Sequence, residues 1–376
     1  MNTALFVLGA LVAASTWATL LATFVLPRGQ SVYSAPSRLT TRMVRLCFVG
    51  ISRMLPSFGA KDSVLALVGP IALLAQLALI LGSIVVGFAF MDLRWSGSFG
   101  LAFGESSSAV FTLGLSRIAG SANDVVLVLA AASGAIAIAL QIGYLPTIYQ
   151  SFARRETLVT LMESRAGIPA WGPEVLIRHQ LVATLDALPG LYRAWEGWAA
   201  EVAESHTTQP VLMFFRSPEP GFSWVLALLA ILDAAALHLA VAPDIAPSEA
   251  RLCLRMGFTA LNRLGGTLGW AIEADPHPDA PIALEFSSFE AAFVQLKRFD
   301  FPCERSAVDA WPHFKGWRVN YEQMAYRFAD YLMAPHSPWS GPRRHLDETL
   351  VLPDRPPHRN PNGDLLFDFQ LREGSE

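Results

Sequence analysis

Hydrophobic positions in the first 155 residues of this chain are gathered into three long blocks. Met1 to Pro27, Ser63 to Met91 and Val125 to Ala153 contain no formal charge. Each is long enough to cross a hydrocarbon core, which takes about 20 apolar residues, so the pattern predicts three membrane-spanning helices. The first block has no basic residues ahead of it, and bulky Val25 and Leu26 before Pro27-Arg28 make a poor cleavage site. It therefore reads as a retained helix rather than a signal peptide. Between the second and third blocks lies Ser98 to Phe111, SFGLAFGESSSAVF. It is about four turns long if helical, too short to cross and too apolar for an exposed loop. Such half-crossing segments occur where they are buried in protein or line a water-filled cavity. A re-entrant helix is expected here.

After Ala153 the pattern changes. Charged and apolar residues alternate at helical spacing as far as Pro335, with breaks at Pro169, Pro173, Pro189-Gly190, Pro210 and Pro218–Gly221. This predicts a helical soluble domain over residues 156–336. Within it, Phe222 to Val241 is apolar enough to suggest a fourth crossing, but Asp233 and His238 sit inside. A central Asp costs roughly 2.5–3.5 kcal/mol on insertion scales, so a buried central helix is expected instead. The two polar residues are five apart, about 140° round a helix, and are read as separate half-buried groups. The last segment, 337–376, carries Pro338, Pro342, Pro353, Pro356, Pro357 and Pro361. It is expected to be an extended tail with little fold of its own, with Leu365-Leu366-Phe367 either docking on a partner or disordered.

Composition supports a membrane class. Hydrophobic residues make up 52% of the chain and charged residues 16%, with mean hydropathy +0.37, against about a quarter charged in soluble domains. Basic residues then set the orientation. Arg28, Arg38, Arg42, Arg45, Arg53 and Lys61 lie between the first two blocks, only Arg94 and Arg117 between the second and third, and Arg154, Arg155 and Arg165 follow the third. The expected topology is multi-pass, with the N-terminus outside and the C-terminal domain cytoplasmic. The organisation is then an N-terminal helix (1–27), a basic linker (28–61), a module of two helices and the re-entrant segment (62–155), the helical domain and the tail. Residues 38–55 interleave arginines with Leu39, Val44, Leu46, Phe48 and Ile51. That pattern suits an amphipathic helix at the cytoplasmic leaflet, with its arginines near anionic head groups, and equally a positive-inside loop that happens to be helical. Gln76, mid-block, is expected to bond to a neighbouring helix or to touch an ion.

Chemistry is sparse. Nucleotide-loop, His-Glu-x-x-His, Cys-x-x-Cys and Gly-x-Ser-x-Gly patterns do not occur. The three cysteines are widely spaced, and the eight histidines form no pair at ligand spacing. No enzymatic activity, metal or cofactor is expected. The net charge of −4 gives nucleic-acid binding no electrostatic support.

The order of outer helix, re-entrant helix, Thr112-Leu113-Gly114 and long inner helix resembles the two-helix pore module of the potassium channel superfamily, over roughly residues 62–155. That family builds its filter from the carbonyls of Thr-Val-Gly-Tyr-Gly in four subunits. The resemblance implies a homotetramer in a lipid bilayer that conducts an inorganic ion through a filter at Thr112, Leu113, Gly114, Leu115 and Ser116. Beyond the re-entrant helix the chain would return outward in extended form. Glu105 and Arg117 would stand at the pore mouth, with Glu105, Asp92 or Asp124 offsetting the Arg117 charge. Gly134 takes the place of the hinge glycine, and Pro146 the place where some members kink. Gln141 and Tyr144, three apart, can share a pore-facing side, although Gln141 also suits helix–helix packing. The run Tyr144, Leu145, Pro146, Tyr149, Arg154, Arg155 and Glu156 is similar to the end of the inner helix in bacterial ion-channel-like membrane proteins, which implies an inner (plasma) membrane location. Ser116 replaces a glycine whose backbone conformation costs other residues roughly 1–2 kcal/mol, and Leu115 lacks tyrosine's hydroxyl. The expected function is a cation channel with an altered filter. The alternative is a non-conducting sensor or scaffold that keeps the fold.

Overall fold

The structure is a computed structural model that describes residues 2–24, 35–115, 121–343 and 353. Among the described residues the regular elements are all helical. In chain order they are α1 (Asn2–Phe24), α2 (Ala35–Ser52), α3 (Phe58–Ala66), α4 (Val68–Ser96), α5 (Phe99–Val110), α6 (Ser121–Ala166), α7 (Gly172–Leu181), α8 (Leu188–Thr208), α9 (Trp224–Val241), α10 (Ser248–Thr267), α11 (Phe286–Arg298), α12 (Ala307–Arg318) and α13 (Glu322–Tyr331). Among the described residues, four stretches are long and apolar enough to cross a membrane: Thr3–Phe24, Phe58–Ser96, Asn123–Ala166 and Trp224–Val241. The architecture is that of an all-α membrane protein.

The chain divides into two compact units. The first comprises 1–155, 202–216 and 267–269, and the second 156–201, 217–266 and 270–376. In the first unit, α1 crosses α4 backbone to backbone. A Cβ on Gly9 would run into the Gly87 carbonyl, and one on Gly87 would stand 3.0 Å from the Ala13 nitrogen. Small residues at such a crossing allow the close van der Waals contact that holds helices together in lipid. Trp17 on α1 donates from Nε1 to the Ser133 hydroxyl of α6 at 3.0 Å. Leu20, Ile84, Phe88, Val110, Val126 and Ala130 fill the space between these helices. Gln76 bonds to a neighbouring helix, as one of its two expected roles had it: the Ser37 hydroxyl of α2 donates to its Oε1 at 2.9 Å.

Residues 202–216 fall in the first unit, although the sequence pattern places them in the C-terminal domain. Phe215 lies on Gly69, where a Cβ would meet its ring at 2.5 Å, and it joins Ala72, Leu73, Ile148 and Leu212 in a second apolar cluster. Arg216 pairs with Asp62 of α3.

In the second unit all 18 residues of α9 are buried within protein. Gly172 lets α7 come close to α9, since a Cβ there would meet the Asp233 Cβ at 2.5 Å. Asp233 and His238 are therefore fully buried rather than half-buried. Asp233 accepts from the Arg318 guanidinium and, at 2.8 Å, from the Tyr321 hydroxyl. His238 Nδ1 lies 3.3 Å from the Tyr192 hydroxyl. Arg318 also donates to Glu322 (2.7 Å), the Tyr326 hydroxyl (2.9 Å) and the Trp339 carbonyl (2.6 Å).

The start of the expected tail is folded. Ser337, Trp339, Ser340 and Arg343 are buried. Arg343 holds the turn by donating to the carbonyls of Ala334 and Pro335 at 3.0 Å and of Ser340 at 2.7 Å. A run of prolines removes backbone donors without preventing such carbonyl-to-guanidinium ties. Leu365, Leu366 and Phe367 lie outside the described residues.

Candidate functional site

The segment expected to be re-entrant forms α5, 12 residues long, with Ser98 as its N-cap, accepting from the Leu101 amide at 3.4 Å. Its other end is closed by a Schellman turn. The Thr112 amide donates to the Ala109 carbonyl at 3.0 Å, and the Leu113 amide to the Ser108 carbonyl at 2.8 Å. Thr112 occupies the left-handed position of this motif with φ 53°, a place usually taken by glycine. The Ser108 hydroxyl then accepts the Leu115 amide at 2.8 Å. Ser108 thus ties the loop down twice, once through its carbonyl and once through its side chain.

The chain does not leave α5 in extended form. It turns at Thr112 and takes a second positive φ, 67°, at Gly114. The cause is local: two backbone bonds satisfy the carbonyls at the helix end, and the turn that makes them needs a left-handed residue. Phe111, Leu113 and Leu115 are exposed on this loop. Ser116 and Arg117 lie outside the described residues.

Where α5 ends, it presses on α6. A Cβ on Gly134 would collide with the Val110 carbonyl, so this glycine serves a close approach. Gly134 is ten residues beyond Asp124, about 15 Å along the helix, or half of a hydrocarbon core of about 30 Å. The C-terminal end of α5 therefore meets α6 about a third of the way along the third apolar block, Val125 to Ala153.

Ser133, Gln141 and Tyr144 of α6 face into the chain's own packing. Ser133 donates to the Leu129 carbonyl at 2.7 Å while accepting from Trp17. Gln141 is 4% exposed, with no hydrogen-bond partner for its Oε1. Tyr144 packs edge-on against Phe24 of α1, ring centroids 5.0 Å apart. The opposite, exposed face presents Val125, Val128, Leu129, Ile136, Ile142 and Tyr149. Pro146 lies on the exposed side inside the helix, where its ring removes the amide that would bond the Ile142 carbonyl.

Glu105 is 1% exposed and faces Asp92 of α4 and Asn123 at the head of α6. The sequence marks Asp92 and Glu105 only as charges near the loop. Asn123, hidden beside Asp124, and Ser108, one of three consecutive serines, carry no signal that singles them out.

Toward the far end of α6, Arg155 is buried and donates to the carbonyls of Leu212 (2.8 Å) and Phe215 (2.7 Å). Its Nη1 also stands 3.1 Å from His206 Nε2. A guanidinium carries only donors, so this Nε2 must be an acceptor and His206 is neutral. Burial, and then Arg155 beside it, hold the imidazole well below the usual histidine range.

No protein-family model, curated protein or solved structure matches this chain.

Proposed function

We propose that this protein is a pore-loop ion channel of the potassium-channel type, assembled as a homotetramer in the plasma membrane and conducting cations through an altered filter at Thr112 to Ser116. In this reading α1, α4 and α6 cross the membrane with the N-terminus outside, α5 is the pore helix, and α9 is the core of a cytoplasmic domain. One observation supports it: a 12-residue helix, capped at both ends, lies in the chain between two long apolar helices, and its C-terminal carbonyl end touches α6 at Gly134. A helix C-terminus bears partial negative charge, which favours a cation beside it. One loop encloses nothing, so several chains must surround an axis. The exposed apolar face of α6 would then line or flank that axis and gate by dewetting.

A second reading is favoured by a different observation. Thr112 serves as a helix cap, and the polar side chains Ser133 and Gln141 are turned into the chain's own packing. A membrane sensor or scaffold that keeps the fold without conducting needs nothing more. Purified protein in detergent, weighed by native mass spectrometry, is expected to be tetrameric. In proteoliposomes it is expected to pass monovalent cations, and Ala135→Trp, on the exposed face of α6, to reduce the flux at least tenfold while leaving the tetramer intact. A monomer would remove the pore. A tetramer without flux for any cation would leave the scaffold reading.

A further inference from the structure

Three helices bring unsatisfied oxygens to one buried point beside the loop. Asp92 (0% exposed) comes from the end of α4, Glu105 (1%) from the middle of α5 and Asn123 (1%) from the first turn of α6. Asn123 Nδ2 donates to Glu105 Oε2 at 3.4 Å, and the Asp92 carboxylate faces both residues. Four oxygens here, both of Asp92, Oε1 of Glu105 and Oδ1 of Asn123, have no hydrogen-bond partner. Neither carboxylate forms an ion pair among the described residues. Two carboxylates taken out of water side by side repel, and each unpaired buried charge is strongly destabilising. Something must offset them, either a proton held between the two adjacent carboxylates or a bound cation.

We propose that Asp92, Glu105 and Asn123 form a buried calcium-binding site that ties α4, α5 and the head of α6 together. The donors are all hard oxygens, which suit calcium, magnesium or an alkali cation and exclude soft metals. Their combined charge of −2 matches a divalent ion. Calcium takes six to eight oxygens in flexible geometry, so four protein oxygens with two or more waters or carbonyls complete its shell. Magnesium demands a near-ideal octahedron and gives up its waters reluctantly, which sets it against a cluster this deeply buried. The site does not depend on conduction: it would fix the re-entrant helix in a channel and in a scaffold alike.

The test uses full-length protein in detergent, stripped with a chelator, and equilibrium dialysis against radioactive calcium. One calcium per chain is expected, unaffected by excess magnesium, with a melting temperature about 5 °C higher at saturation. Asp92→Asn and Glu105→Gln are each expected to weaken binding at least tenfold. Asn123→Asp, which adds a third carboxylate, is expected to tighten it and to make folding more calcium-dependent. That variant keeps the test decisive if the first two do not accumulate. No calcium retained by the wild-type chain would overturn the proposal, as would binding unchanged in all three variants or equal stabilisation by sodium chloride. Because these readouts involve no ion flux, their failure is distinct from failure of the channel reading.

Discussion

Thr112 holds a backbone conformation that ordinarily belongs to glycine. With φ 53°, its Cβ crowds the following carbonyl at a cost of roughly 1–2 kcal/mol. The turn it closes satisfies two carbonyls at the end of α5, and among the described residues its hydroxyl bonds only the adjacent Phe111 carbonyl, at 2.8 Å. Thr112→Gly relieves the crowding but loosens the unfolded chain by about 0.4–1 kcal/mol. The net expectation is stabilisation by about 0.5–1 kcal/mol, read as a higher melting temperature in detergent. Thr112→Val keeps the β-branch and removes only the hydroxyl, so its melting temperature is expected to stay near that of the wild type. If the hydroxyl also serves permeation, Thr112→Val will change ion selectivity without changing stability, which separates a capping residue from a filter residue. Nothing in Thr-x-Gly as a string distinguishes these roles, because the capping bonds are made by the backbone of Ala109 and Ser108.

Helix ends in this protein are repeatedly fixed by arginine against carbonyls and neutral histidine. Arg155 binds His206 in the first unit, with His206 Nδ1 near the Ser205 hydroxyl at 2.9 Å and its own i−4 carbonyl, Val202. Within the second unit the pattern recurs: Arg165 Nη1 stands 3.1 Å from His179 Nε2, and His179 Nδ1 is 2.7 Å from the Val175 carbonyl. Burial is the larger cause, and the neighbouring arginine a lesser one, of the lowered values of both imidazoles. An imidazole lowered in the folded state contributes stability that is complete above the unfolded value of about 6.5 and is lost as pH falls through the folded value. The melting temperature is therefore expected to fall as pH drops from about 7 to about 5. His206→Gln and His179→Gln, which can still accept from the arginines, are each expected to flatten that slope. A slope unchanged in the double variant would assign the acid sensitivity to carboxylates instead. Helix existence was legible from spacing and from the charge-free blocks, including α5 between two long helices. The arginine–histidine contacts were not: His206 lies 51 residues from Arg155, and no spacing rule joins them. The same holds for residues 202–216, whose pattern matches the neighbouring helices although Phe215 and Arg216 pack against Gly69 and Asp62.

Across the whole molecule, apolar stretches of equal length meet different surroundings. The exposed large side chains of α1, Val7, Leu8, Leu11 and Leu21, leave a face for lipid, whereas α9 has none. Asp233 was the sequence sign of that difference, and its partner Arg318, 85 residues away, was not readable. Arg318 is the hub of the second unit: its guanidinium joins α9, α13 and the Trp339 turn, while Glu322 also accepts the amides of Ala283 and Leu284. Breaking a buried pair from one side leaves an uncompensated charge, which costs about 3–5 kcal/mol, whereas removing both charges is far milder. Arg318→Met is accordingly expected to destabilise the second unit by about 3–5 kcal/mol, since it strands Asp233 and Glu322 together. Adding Asp233→Asn to that variant removes one stranded charge while keeping an acceptor for the Tyr321 hydroxyl, so the double variant is expected to recover part of the loss. Denaturant unfolding of the two singles and the double, followed by fluorescence of the tryptophans around α9, measures the coupling. Additive effects of the two substitutions would mean that Arg318 acts through its contacts with Glu322, Tyr326 and Trp339, and that Asp233 is held in place by Tyr321 alone.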